Sequence, residues 1–373
     1  PNYHQTGKAG PLTEMEHHMK TGIMRRTVKG TISLTLLFAI SITLFFNQCL
    51  TTGEQVSMAR EPRFLEPTTV AMVRSSKDDV SQITYDDILS QIREAVNMTG
   101  GMADLVQDGD VVVLKPNLVT INDYTLGGWA GRPLSPEING TTTDWRVTKA
   151  VVALVREVNP SGEVYVMEGS AVSTREAFAH YKYDHDHIPG VTGFMALEED
   201  SGGWQQKTSD KLVERKVPDS LYAKSVFMNR LYAEADVLIS LPCLKNHWHA
   251  VVSGGVKNVG IGGTPANIYG IDHKNPTRTN MVNHGLIDLH YWIHDFFSAR
   301  PVDYVIMDGL QGIQNGPTPS KRIGGTTHIS EDQMNMRLIL AGKDAIAVDT
   351  IESLVMNWNP LTVEYLYQLN KSG

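Results

Sequence analysis

The chain has 373 residues, 41% hydrophobic and 20% charged, enough to fill one large domain. Its net charge of −8 comes without a long basic run, so nucleic acid is not an expected partner. Cys49 and Cys243 are the only cysteines, which excludes an iron–sulfur cluster or a four-cysteine zinc site built by this chain alone.

Residues 1–50 read as an upstream extension plus a leader. Arg25 and Arg26, with Lys20 and Lys29 nearby, precede the uncharged run Thr31 to Phe46. A basic region followed by 16 apolar-rich residues is the grammar of a signal peptide. It falls short of the about 20 residues a membrane span requires, and an uncleaved anchor stays open as the second reading. Cys49 closes the run as a lipoprotein box would, with Gln48 a poor fit before it. The expectation is export, with the domain on the periplasmic or extracellular side and membrane contact only through the leader. Residues 51–66 are polar, contain Pro62 and suit a linker.

From residue 67 to 373, strand and helix patterns alternate. Thr69 to Val73 is a short apolar strand. A helix follows from about Asp86, with Thr84 and Asp87 placed as a capping box and Ile88, Ile92, Ala95 and Val96 on one face. "DVVVLKPN" is a second strand, too apolar to have a wet face. Val147 to Val158 is the clearest helix, capped by Thr143 or Asp144. "EVYVMEGS", "ADVLISLP", "DYVIMDGL" and "MRLILAG" are further strands, and "DAIAVDTIESLVMNW" is a last helix. The pattern predicts one α/β domain after the leader: a mainly parallel sheet with helices on both faces. Two stretches, Ile121 to Gly140 and Tyr181 to Ser225, lack periodicity and read as insertions.

Four apolar strands each run into polar residues: Lys115-Pro116-Asn117, Glu168-Gly169-Ser170, the Lys245-Asn246-His247 segment, and Asp308-Gly309. In open parallel sheets ligands bind outside the carboxyl ends of strands, so these clusters are expected to face one crevice. Lys115, Lys245 and Lys257 would converge there only around an anion, because three ammonium groups repel. Asn117 and Asn258 would join them, and Thr141, Thr142 and Thr143, before the strong helix, would form a second anion cradle. Pro242 is expected to end the ladder of the strand before it by removing a donor, and "SGGVKNVGIGG" reads as a flexible loop of backbone donors. His247, Lys245 and Asp308 are the candidates for catalysis. His247, His249, His284 and Asp288 are the candidate ligands of a divalent metal, the last two being one helical turn apart. His185, His187, His290 and His294 are expected on the surface, and Cys243 in the core.

"VVVLKPNLV", the Thr-Thr-Thr before a helix, "LPCLKNH", "GGVKNVGIG", "VDYVIMDGLQGIQNGPTP" and "LILAGKDAIAVDTI" together resemble the domain-of-unknown-function 362 family, DUF362. The likeness runs from Thr69 to Gly373 in the family's order and spacing. Its Lys-Pro-Asn falls on Lys115, Pro116 and Asn117, its Lys-x-His on Lys245 and His247, and its Lys-Asn on Lys257 and Asn258. Its helical Asp falls on Asp288, its Asp-Gly on Asp308 and Gly309, its Gly-Pro on Gly316 and Pro317, and its late Ala-x-Asp on Ala347 and Asp349. Glu168-Gly169-Ser170-Ala171 stands where the family has a Gly-Asp-Ser-Pro-like turn. Some relatives carry ferredoxin-like cluster domains. The pattern continues past Gly373, which implies a C-terminally truncated domain.

Three functions are open at this level. The chain is expected to be an exported enzyme acting on a small anionic substrate, with or without a metal. The alternatives are a non-catalytic anion-binding protein and a redox accessory related to the cluster-bearing relatives.

Overall fold

A computed structural model describes residues 68–123, 133–270, 287–319 and 332–372. The leader and linker expected over residues 1–66, and His284, lie outside the described residues.

The first strand, β1 (Ala71–Arg74), leads into α1 (Tyr85–Met98), where Thr84 and Asp87 form the expected capping box. β2 (Val111–Pro116) is followed by α2 (Trp145–Val158), capped by Asp144, and then by β3 (Glu163–Glu168) and α3 (Thr174–His180). β4 (Gly193–Ala196) comes next, then a separate antiparallel pair, β5 (Leu212–Lys216) and β6 (Ser225–Asn229). β7 (Val237–Leu241) and β8 (Cys243–His247) are divided only by Pro242, and β9 (Val251–Val252) folds back on β8. α4 (Gly255–Gly262), α5 (Asp288–Ala299), β10 (Tyr304–Ile313), β11 (Gln333–Met334), β12 (Leu338–Gly342), α6 (Ala345–Val355) and α7 (Glu364–Ser372) complete the series.

The main sheet has the order β1-β12-β10-β7-β2-β3-β4. The five strands β10, β7, β2, β3 and β4 are parallel. β12 runs antiparallel to both its neighbours, β10 and β1. The fold is therefore α/β with a mainly parallel sheet. Alternation along each strand divides two cores. Val112, Leu114, Ile239 and Ile306 pack with Ile88, Ile92, Val151 and Leu154 of α1 and α2. Val113, Leu238, Val305 and Met307 pack with Val256, Val259, Ile293, Val348 and Leu366 of α4 to α7. Helices cover both faces, which is why the central strands carry almost no polar residue.

Three local expectations are corrected. The glycine-rich stretch is not a flexible loop: Gly255–Gly262 is a helix with every residue buried. Pro242 does not end pairing, because β8 resumes it beside β10. Residues read as a patternless insertion supply β4 and β5, short strands whose few residues cannot display a period.

Chain order fixes where a crevice belongs. From β2 the chain adds β3 and β4 on one side, then returns to place β7 on the other. β2 and β7 thus flank the point where strand order reverses, with Lys115 opposite Ser240 and Pro116 opposite Leu241.

Candidate functional site

Alternation sorts the polar residues at this switch point by face. Lys115 follows Val113 toward α4, and Lys245 follows Cys243 toward α2. The three lysines therefore do not converge in one crevice.

On the α4 face, Lys115 is fully buried and its Nζ lies 2.9 Å from Glu168 Oε1. The ammonium also donates to Pro116 O at 2.7 Å and to Asn258 Oδ1 at 3.3 Å. Glu168 accepts from the N–H groups of Leu118 and Gly169 at 2.7 and 2.8 Å. Asn258 Nδ2 donates to Lys115 O and Ser240 Oγ, stitching β2 to β7 from above. The anion that a buried lysine requires is thus supplied by the chain itself, by the residue at the turn where the family pattern is departed from. Lys257, on α4, is buried in another direction. Its charge bears on His290, whose imidazole is depressed chiefly by burial.

On the α2 face, Lys245 Nζ donates to Thr141 O and, at 3.4 Å, to Asn117 Oδ1. Thr143 Oγ1 donates to Leu241 O at 2.6 Å and accepts from Asn117 N at 2.8 Å. Thr142 Oγ1 accepts from Asn139 Nδ2 at 2.8 Å. Gly140, at φ 70°, lets this loop cross β10, since a Cβ there would stand 2.9 Å from Gln311 O. The start of α2 is no vacant anion cradle. Asp144 caps it, and the Asp144 N–H donates to Asp308 Oδ2 at 2.9 Å. Thr141 Oγ1 is buried beside Lys245 and makes no hydrogen bond.

Asp308 sits inside β10, not at its end: its residue partner is Cys243 of β8, after the strand has left β7. Burial pushes its carboxyl up to about 7, and the Asp144 charge adds to this against the N–H groups of Asp144 and Leu310 and the guanidinium of Arg146.

The hairpin from β8 to β9 carries the histidines. His247 is 9% exposed, and its Nδ1 accepts from the N–H groups of His249 and Ala250, each at 3.2 Å. Two donors on Nδ1 place the ring proton on Nε2. Val251 closes the hairpin at φ 68°, a conformation that strains a β-branched residue by about 1–3 kcal/mol. Such strain concentrates at working sites.

Within the matched order of motifs, this arrangement has relatives. A family model described as "Domain of unknown function (DUF362)" matches residues 112–352. The chain belongs to the DUF362 family. A thylakoid-associated protein, sll1697, of Synechocystis sp. is 24% identical over 308 residues, covering 82% of this chain and 79% of that protein. A structure of the lactate racemase apoprotein from Thermoanaerobacterium thermosaccharolyticum is similar at a TM-score of 0.40 and 12% identity. That likeness covers 72% of this chain and 55% of the other, so this chain spans about half the length of that one.

The DUF362 match opens on β2 and closes on Glu352 of α6. Lys245 and Asp308 lie on the α2 face, Lys115, Lys257 and Asn258 belong to the α4 side, and His247 sits in the hairpin that follows Lys245. The His247 and His249 rings are 6.1 Å apart, and Asp288 opens α5. The pairing expected of His284 with Asp288 lies outside the described residues. Among the described residues, no group of three or more His, Cys, Asp or Glu side chains is placed to hold a metal ion. His290 and His294 are buried rather than on the surface, because α7 covers α5. Cys243 is buried as expected, its thiol pushed up to about 12 by burial.

Sequence reasoning named Thr141 with its two neighbours but missed Glu352. Glu352, fully buried, accepts from the Lys245 N–H at 3.4 Å. The available sign was a second carboxylate one helical turn after Asp349, on the same face of α6.

Proposed function

We propose that this DUF362 protein is an enzyme that uses acid–base chemistry on a small anionic substrate at the α2 face of the switch point. The observation that carries the reading is the His247 ring, fixed by two backbone donors at the carboxyl end of β8. A histidine held in one tautomer can give a proton from Nε2 without first reorganising. Lys245 supplies positive charge, and the buried Thr141 hydroxyl beside it is a hydrogen-bonding group that a ligand would satisfy. Asp308, with its carboxyl near 7, can hold or release a proton at neutral pH. Lys115 serves the site by rigidity, through its pairing with Glu168. In this reading the work is done outside the cytoplasm, which the basic flank and apolar run of Thr31 to Phe46 support.

The test is turnover of a panel of small phosphate and carboxylate esters, with sulfate binding and metal content measured in parallel. His247→Ala is expected to lose turnover by about 10²-fold or more while sulfate still binds and the melting temperature holds. Lys245→Gln is expected to lose sulfate binding. Sulfate binding with no turnover of any ester would instead support the anion-binding protein. A large fall in melting temperature for His247→Ala, with binding intact, would assign the ring to the core.

A further inference from the structure

Asp349 and Glu352 stand one turn apart on α6, and both are fully buried. Asp349 accepts from the N–H groups of Gly255 and Val256, at 2.6 and 3.0 Å, and so caps α4. Glu352 accepts from Lys245 N, at the middle of β8. A Cβ on Gly254 would overlap both carboxylates, which brings the two acids side by side against one stretch of backbone. Glu352 Oε2 and the Tyr365 hydroxyl, both buried, make no hydrogen bond. The groups that face the pair are Lys245 from β8, Asp344 from the start of α6, and Tyr365 from α7 with His290 of α5 stacked on it.

We infer that Asp349 and Glu352 hold one proton between them, and that this shared proton keeps β8 and the start of α4 fastened to α6. They are positioning residues for Lys245 and His247, and in this the inference rests on the function proposed above. Two adjacent carboxylates out of water cannot both stay charged, so one proton is retained to neutral pH. Burial raises both groups, and the charge of Asp349 raises Glu352 further. Each group's affinity for a proton is therefore higher folded than unfolded. The stability it contributes is fully present below the unfolded carboxyl range and is lost as pH rises through the folded value. A rise in pH would drive off the shared proton, set two charges against each other and loosen the backbone that carries Lys245.

The experiment compares the full chain with Glu352→Gln from pH 5 to 9. Glutamine keeps the shape and the acceptor and removes the titration. One retained proton means that the folding constant of the natural chain falls tenfold per pH unit relative to the variant, from pH 5 to about 7. Sulfate, which does not titrate in this range, is the probe of the site. Its affinity should weaken with pH in the natural chain and stay level in Glu352→Gln. Parallel stability profiles for the two proteins would overturn the inference. If Glu352→Gln does not fold, Asp349→Asn carries the same expectation. Absence of sulfate binding at every pH would count against the proposed function, and the stability profiles would still decide the shared proton.

Discussion

Lys115 illustrates what a side chain discloses by type and what it discloses only by position. Its residue type and its place after an apolar strand announce a cation at a strand end. Its partner, Glu168, comes from the neighbouring strand, and the pairing depends on register and face, which no local pattern contains. Both side chains are fully buried, so the pair behaves as a unit. Removing one member leaves a charge in the interior, at about 3–5 kcal/mol. Glu168→Gln is expected to lose that much in urea unfolding, and adding Lys115→Met should restore a large part of it. A cost below about 1 kcal/mol for Glu168→Gln would mean that water reaches the ammonium and the pair is not what holds β2 and β3 at this end. The same limit explains the misplaced lysines: Lys115 and Lys245 each follow an apolar run, but Lys245 falls in the middle of β8, and the two side chains leave the sheet on opposite faces.

Elements were legible where their determinants are local. The capping box of Thr84 and Asp87 and the apolar stripe of α1 lie within one short window, and the structure reproduces them. Thr84→Ala should cost about 1 kcal/mol in chemical denaturation while leaving sulfate binding unchanged, since α1 packs on β1, β12 and α2 and supplies none of the site's polar groups. A larger effect on binding than on stability would place α1 in the site. α4 was not legible, for two physical reasons. Gly255, Gly260 and Gly262 argue against a helix by propensity, and a helix buried on every side shows no polar face. The glycines are there for close approach: a Cβ on Gly260 would stand 3.0 Å from the Ile293 Cα of α5. β12 was legible as a strand but not as an antiparallel one, because a strand buried on both faces is a continuous apolar run in either direction.

At the scale of the molecule, the sheet separates two cores, and each is assembled from described residues between Ala71 and Leu369. The described residues belong to one compact unit, Phe64–Gly373. Among them no helix is long and apolar enough to cross a membrane. The run from Thr31 to Phe46 is the part of the chain whose composition suits an apolar environment, and its expected work is targeting. If so, it contributes nothing to the folding of the α/β unit. A chain beginning at Glu66 should then unfold in one cooperative transition, with a midpoint within about 1 °C of the full chain, the shift that about 0.5 kcal/mol produces for a domain of this size. It should bind sulfate with unchanged affinity. Thermal unfolding of both proteins in the same detergent-free buffer, or in matched detergent if the full chain requires it, is the measurement. Loss of the cooperative transition in the shorter chain would show that the α/β unit depends on the apolar run for its stability, and would overturn the targeting role.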